Sequence, residues 1–254
     1  ADLGSLSAHI DELYALFQVL LEAREARGCM EFESNETQIV FGPDRKIDRV
    51  VPVHRNDAHR MIEECMIAAN VCAARFIERH RKAALFRVHE SPKADKLAAL
   101  RVFLGPLGLR LGGGKDPLTR HFAALSKRAA GRPDATLIQT VLLRTMAQAR
   151  YAPGCAGHFG LALDQYTHFT SPIRRYPDLI VHRAIKHVLT TDRSEWPPAG
   201  VEMGELGAHC SAAERRSDEA GWDVLAWLKC EYMLDKVGEE FTGKVSGVAP
   251  FGAF

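Results

Sequence analysis

The chain has almost no surplus of charge. Its 33 Lys and Arg stand against 32 Asp and Glu, a formal net charge of +1, which excludes a globally basic coat and requires any affinity for a polyanion to come from a local channel. Long hydrophobic runs are missing as well. No stretch approaches the ~18 to 20 apolar residues of a membrane span, and no signal-peptide pattern opens the sequence. The six cysteines, at 29, 65, 72, 155, 210 and 230, form no C-x-x-C pair and no finger or ribbon spacing, which fits a reducing, cytoplasmic setting. Cys65 and Cys72 lie in an apolar helical run, where a free thiol packs as a small hydrophobe. A phosphate loop is also lacking. Gly112 to Lys115 resemble the start of one, but Asp116 stands where G-x-x-x-x-G-K-[ST] needs a hydroxyl, so no nucleotide cofactor is expected and the glycines form a flexible turn.

What is present is enough for a core. With 254 residues and 46% apolar content, one sizeable core, or a core with a small appendage, is expected. Helical periodicity dominates. The segment LSAHIDELYALFQVLLEARE puts Ile10, Leu13, Phe17 and Leu20 on one face, with Ser7 as cap. Gly28 to Val53 carries strand composition broken at Ser34-Asn35 and Gly42-Pro43-Asp44, which predicts three short antiparallel strands. A helix capped at Asn56 or Asp57 follows, with Ile62, Met66, Ala69, Ala73 and Phe76 inward. Glu63 and Glu64 interrupt it; either they form an exposed face beside His59 and Arg60, or one is buried and needs a partner, most simply an arginine. Pro92 opens a helix bearing Leu97, Leu100 and Leu104, and Asp134 caps another through Arg150 with Ile138, Val141, Leu142 and Ala149 inward. After a WPPAG linker at 196–200, a long helix over about 204–235 keeps Leu206, Cys210, Ala213, Ala220, Val224 and Trp227 on its inner stripe. The fold class is therefore α+β and predominantly helical.

The chemistry concentrates between Tyr151 and Leu189. There Arg174, Arg175, Arg183 and Lys186 stand beside Tyr166, Phe169 and Tyr176, with His158, His168 and His182 interleaved. Guanidinium groups pair with phosphate oxygens and aromatic rings stack on bases, so single-stranded nucleic acid is the indicated partner. The plainer alternative is a solvated face over a core edge. Local signals favour the first. Ser171 and Pro172 match an N-cap and first helical position, which brings free N–H groups and the positive end of a helix dipole beside the two arginines. Pro177 predicts a break: one turn at 172–175, then a second helix with Ile180, Val181, Ala184, Ile185 and Val188 inward and Arg183 and Lys186 outward.

The run GHFGLAL, Tyr166 to His168, and HFTSPIRRYPDLIVHRAI closely resemble the ribonuclease II/ribonuclease R family in their catalytic RNB domain, and R-R-Y-P-D-L is similar to the ribonuclease R branch. The resemblance implies a processive 3′→5′ exoribonuclease that hydrolyses single-stranded RNA to nucleoside 5′-monophosphates with magnesium. It implies that Arg174 contacts the phosphate near the scissile bond, with Arg175, Tyr176 and Arg183 along the same RNA-facing stretch. Phe32, which follows the R-G-x-x-x pattern from Arg27, resembles a base-stacking clamp; its alternative is a core aromatic. Glu64, or its neighbour Glu63, resembles a channel-lining residue. Glu214 resembles a glutamate near the nuclease site, with Arg215 and Arg216 beside it to carry RNA; a plain surface charge cluster is the alternative. By the same resemblance residues 1–236 are the latter part of an RNB domain, and 237–254 are the first strands of an incomplete S1 domain of OB type. In that tail Phe241, Gly243 and Val245 are expected to form a strand and Ala249-Pro250 a turn, Phe251 to Phe254 to start another strand with Phe251 as an RNA-binding aromatic, and the whole to be disordered or loosely docked.

The family's magnesium-binding aspartates are not found. Asp44, Asp48, Asp57, Asp164, Asp178 and Asp223 are scattered rather than clustered, although Mg²⁺ needs converging carboxylate oxygens. The resemblance puts that cluster upstream of Ala1, so no metal ligand is expected within the chain, which looks like a fragment and should be inactive alone. A non-catalytic RNA-binding fragment is the main alternative. A zinc hydrolase built from Asp178, His182, His158 and His168 is the weaker one.

Overall fold

The computed structural model describes residues 4, 6–30, 37–44, 46–190, 196–197, 200–243, 245 and 248–253. In chain order these form α1 (Leu6–Arg27), β1 (Thr37–Phe41), β2 (Ile47–Pro52), α2 (Asp57–Arg79), β3 (Phe86–Val88), α3 (Ala94–Leu104), α4 (Thr119–Ala129), α5 (Ala135–Thr145), β4 (Arg150–Ala152), α6 (Tyr176–Leu189), α7 (Met203–Met233), β5 (Val248–Ala249) and β6 (Gly252–Ala253). The architecture is α+β and predominantly helical. It divides into two units, Ala1–Phe32 with Arg55–Ala213, and Glu33–His54 with Glu214–Phe254.

The larger unit begins with α1 and α2 side by side. Tyr14 Oη donates to Asp57 at 3.3 Å, Arg60 lies over the Phe17 ring at 5.7 Å, and Arg24 pairs with Glu64. Phe17 is buried, but Ile10 and Leu13 are exposed, so the predicted stripe of α1 is covered only in part. The helix also starts at Leu6, which leaves Ser7 inside it rather than capping it.

Asn56 caps α2 as predicted: its side chain accepts from His59 N at 3.1 Å, and the His59 ring accepts from Asn56 N at 3.4 Å. The buried face is Glu64, Ile67, Asn70, Ala73, Ala74 and Ile77, turned by about one residue from the predicted one, and Ile62 is exposed. The turn has a physical cause. Glu64 and Asn70 both find partners inside, which offsets the cost of burying them.

Three cores fill this unit. In the first, α3, α4 and α5 bury Leu97, Leu100, Leu104, Phe122, Leu125, Ile138 and Leu142; each large apolar side chain contributes roughly 1.5–3 kcal/mol. In the second, α2 and α6 pack over the antiparallel pair β3–β4, where Ala73, Ala74 and Ala184 keep the layer thin around Ile77, Phe86, Val88 and Val181. In the third, Leu85, Tyr151, Ile180 and Met203 dock the start of α7. Ser211 on α7 accepts from Tyr151 N at 2.9 Å and donates to Gly207 O at 2.7 Å.

Several expectations are corrected here. The helix after Asp134 ends at Thr145, because Arg150–Ala152 pairs with Phe86–Val88. Asp134 stands at its N-cap as expected, but its side chain makes no cap hydrogen bond; the carboxylate accepts from Arg132 at 2.8 Å instead. Trp196, at the start of the expected linker, is pinned, since its Nε1 donates to Ala83 O at 2.8 Å. None of the six cysteines forms a disulfide, and Cys72 is exposed rather than packed.

In the smaller unit β1 and β2 form an antiparallel hairpin with an irregularity at Val40/Phe41, closed by Gly42 N donating to Lys46 O at 2.8 Å. These are the only strands found among the described residues between Gly28 and Val53, where three were expected. Beyond Ala213 the predicted inner stripe of α7 is exposed at Val224 and Trp227. The strand expected at Phe241, Gly243 and Val245 is not formed at those residues; β5 and β6 pair instead around a turn at Pro250-Phe251.

Candidate nucleic-acid interface

The segment from Tyr166 to Tyr176 has little regular structure, yet it is tied down along most of its length. Arg87 N, on β3, donates to Tyr166 O at 3.0 Å, and Thr167 Oγ1 donates to Leu85 O at 2.6 Å. Asn70 reaches across from α2, donating to Tyr166 Oη at 3.0 Å and accepting from Phe169 N at 2.8 Å. His182 Nε2 lies 2.8 Å from Phe169 O, with its ring stacked on the Phe169 ring at 4.1 Å and 10°. Ser171 N donates to Asp178 Oδ1 at 2.8 Å.

The predicted break follows. Arg174 N and Arg175 N both donate to Ser171 O, at 3.3 and 3.0 Å, closing a turn, and α6 begins at Tyr176 with Pro177 in its first turn. Pro177 lacks an N–H and fits where helical N–H groups are unpaired anyway. Asp178, fully buried in the first turn of α6, puts a carboxylate at the positive end of the helix dipole.

The two arginines part ways at this turn. Arg175 points inward, its side chain 19% exposed, and donates through Nη2 to Asp178 Oδ1 at 2.8 Å. Arg174 is exposed and makes no side-chain hydrogen bond or ion pair among the described residues. Ile173 beside it is 99% exposed and Tyr176 46%. Arg183, seven residues after Tyr176 and hence on the same face of α6, is exposed, as is Lys186. This edge offers cations and a ring together.

Beneath the loop lies a layer of rings held neutral. Burial pushes His168 down to about 2, helped by the nearby charges of Arg175 and Arg87, and pushes His158 down to about 3, helped by His89 and Arg87. The Tyr166 ring meets His158 edge-on at 5.2 Å and His168 at 5.8 Å, and His168 Nδ1 lies 2.8 Å from Tyr151 Oη. Arg87 stacks over the Tyr151 ring at 4.7 Å. These histidines support the loop instead of binding an anion by charge.

Among the described residues no three His, Cys, Asp or Glu side chains converge to hold a metal ion. The described carboxylates therefore do not fit a magnesium centre. Asp178 and His182, one turn apart, are each engaged elsewhere. A cavity of about 580 Å³ is lined by Arg27, His89, Thr119, Arg120, His158 and Asp164 among others, and an adjoining one of about 450 Å³ shares Arg27 and Asp164.

Of the other residues named from sequence, Glu64 is buried against Arg24, so the arginine partner is found. Its neighbour Glu63 pairs with Arg55. Glu214, Arg215 and Phe251 belong to the smaller unit, Arg215 and Phe251 being exposed. Phe32 lies outside the described residues. Asn70 and the anchoring role of Asp178 were missed; a lone asparagine in an apolar helix was the available signal for the first.

Residues 2–191 match the RNB domain. Over 258 residues the sequence is 51% identical to Ribonuclease R of Escherichia coli (strain K12), a match covering 98% of this chain and 32% of that protein. The chain belongs to the RNB domain family. Ribonuclease R of Vibrio cholerae serotype O1 is similar to this RNB chain at 50% identity over 260 residues, again 98% of the chain and 32% of the relative. The RNB chain thus spans about a third of the length of these relatives. Its fold matches Mycoplasma genitalium RNase R in complex with ribose methylated single-stranded RNA, with a TM-score of 0.87 and 25% identity, covering 96% of the RNB chain and 39% of that one. The likeness to ribonuclease R in R-R-Y-P-D-L is borne out.

Proposed function

We propose that this RNB chain is the latter part of the catalytic domain of a processive 3′→5′ exoribonuclease. It works in the cytoplasm on single-stranded RNA and releases nucleoside 5′-monophosphates. Residues 1–236 belong to that domain and 237–254 open an S1 domain. The observation that carries the reading is Arg174, a cation without a protein partner among the described residues, on a turn stitched into the fold at both ends. Names and bound ligands of the similar proteins support RNA as the polyanion.

In this reading Arg174 donates to non-bridging oxygens of the phosphate under attack and stabilises charge that grows there, a preorganised contribution that needs no rearrangement. Tyr176 and Arg183 follow the strand along α6, while Arg175 acts through the turn. Magnesium is implied by the family resemblance, but the described carboxylates do not fit it; its ligands are placed outside this chain, which is then inactive alone.

Fluorescence anisotropy with a labelled single-stranded oligoribonucleotide tests the reading. Binding should weaken steeply as salt rises, because phosphate contacts release counterions, and Arg174→Ala should weaken it further. A response flat in salt, or binding indifferent to Arg174→Ala, sinks the assignment. Degradation of RNA by the purified chain alone would contradict its inactivity.

A further inference from the structure

Asp178 is the most completely buried carboxylate of the interface, and its contacts are unusually economical. One oxygen, Oδ1, accepts from Ser171 N at 2.8 Å and from Arg175 Nη2 at 2.8 Å, the first and last residues of the turn that carries Arg174. Ser171 O in turn accepts from Arg174 N and Arg175 N. The turn is therefore closed on itself, and one carboxylate oxygen of α6 ties its two ends together, beside the helical bond from Leu179 N to Arg175 O at 3.4 Å. Arg175 is drawn inward by that bond, and its neighbour Arg174 faces out.

Stability is a poor reason for such a pair. Removing two charges from water costs about as much as their attraction returns, and a well-packed apolar pair often serves stability better. Placement is the better account. We infer that Asp178 is the positioning residue for Arg174, its carboxylate fixing the Ser171–Arg175 turn so that the Arg174 guanidinium meets the RNA phosphate. The inference rests on the role given to Arg174 above.

The sign of one substitution separates this from simpler effects. Asp178→Asn removes a negative charge beside the RNA edge, so general electrostatics would tighten RNA binding. Loss of positioning weakens it.

The test is anisotropy with a labelled single-stranded oligoribonucleotide across a salt series, with thermal melting as the fold control. Arg174→Ala is expected to weaken binding about tenfold and to lower the salt slope by about 0.7, the value of one single-strand phosphate contact. Asp178→Asn is expected to do the same, and the double variant Arg174→Ala/Asp178→Asn no more than either alone. Should Asp178→Asn fail to fold, Asp178→Asn/Arg175→Gln removes both buried charges together and leaves neither unpaired; it is expected to show the same loss. Asp178 variants that bind as wild type or tighter, or losses that multiply in the double, overturn the positioning role alone. Indifference to Arg174→Ala overturns this inference together with the reading beneath it.

Discussion

The Arg24 guanidinium donates to the Glu64 carboxylate, so the only carboxylate on the buried face of α2 is held by a side chain from α1. Both partners are largely out of water, Glu64 at 5% and Arg24 at 12% side-chain exposure. Breaking such a pair from one side leaves a buried charge without compensation. Arg24→Met is expected to cost about 3–5 kcal/mol, read by urea denaturation, whereas Arg24→Met/Glu64→Met should recover most of it. If the double variant is as unstable as the single, the pair is not what limits that contact.

Asn70 is the second polar group on the same buried face, and it serves the interface directly. Asn70→Leu leaves Phe169 N and Tyr166 Oη without their partner, while Tyr166→Phe removes one hydroxyl and keeps the ring. The first is expected to destabilise by about 2–3 kcal/mol and the second by about 1 kcal/mol. Hydrogen exchange at the Phe169 amide should accelerate in Asn70→Leu and stay slow in Tyr166→Phe. Equal acceleration in both would show that the asparagine does not hold the loop through Phe169.

These contacts mark the limit of what the sequence discloses. The Asn56 cap, the leucines of α3, the break before Pro177 and the outward Arg174, Tyr176 and Arg183 all follow from local chemistry, a few residues at a time. The inward turn of Arg175 does not, because it depends on Asp178 being fully buried, which is settled only when the chain packs. Asn70 bonds to residues 96 and 99 positions away, and no periodicity announces that. The early end of α5 has the same origin, since Arg150–Ala152 is claimed by β3. Helix α4 carries no such signal either: Leu118 at its cap offers no side-chain acceptor, so the usual start mark is missing.

Acid should destabilise the fold well above the carboxylate range. His168 and His158 take up a proton only at about 2 and about 3 in the folded chain, against 6.5 ordinarily, chiefly because they are buried. His89 is shifted the same way. Between those values the unfolded chain binds more protons, so stability is complete above pH 6.5 and declines as pH falls through the window below it. His168 and His158 each contribute a slope of about 1.4 kcal/mol per pH unit, hence about 2 kcal/mol by pH 5, and His89 adds in the same direction. Melting temperatures should drop between pH 7 and 5, and His168→Gln should flatten that drop by one histidine's share. A melting temperature constant over this range would mean that the native state takes up protons at these histidines as readily as the unfolded chain does.

Two glycines on the first turns of α7 give opposite predictions from one substitution. At Gly207 a Cβ would stand 2.8 Å from Tyr151 O and 3.2 Å from a Leu85 methyl, and at Gly204 it would meet nothing within 4 Å. Tyr151 O belongs to β4, a backbone atom that cannot rotate away, and Tyr151 N is already committed to Ser211. Gly207→Ala must therefore push α7 off the strand and open the core around Leu85, Tyr151 and Met203, at a cost of about 1–3 kcal/mol. Gly204→Ala adds only helix propensity and should stabilise by up to about 1 kcal/mol. Denaturation midpoints of the two variants should move in opposite directions from wild type; a common direction would mean that α7 does not seat on β4 at this glycine.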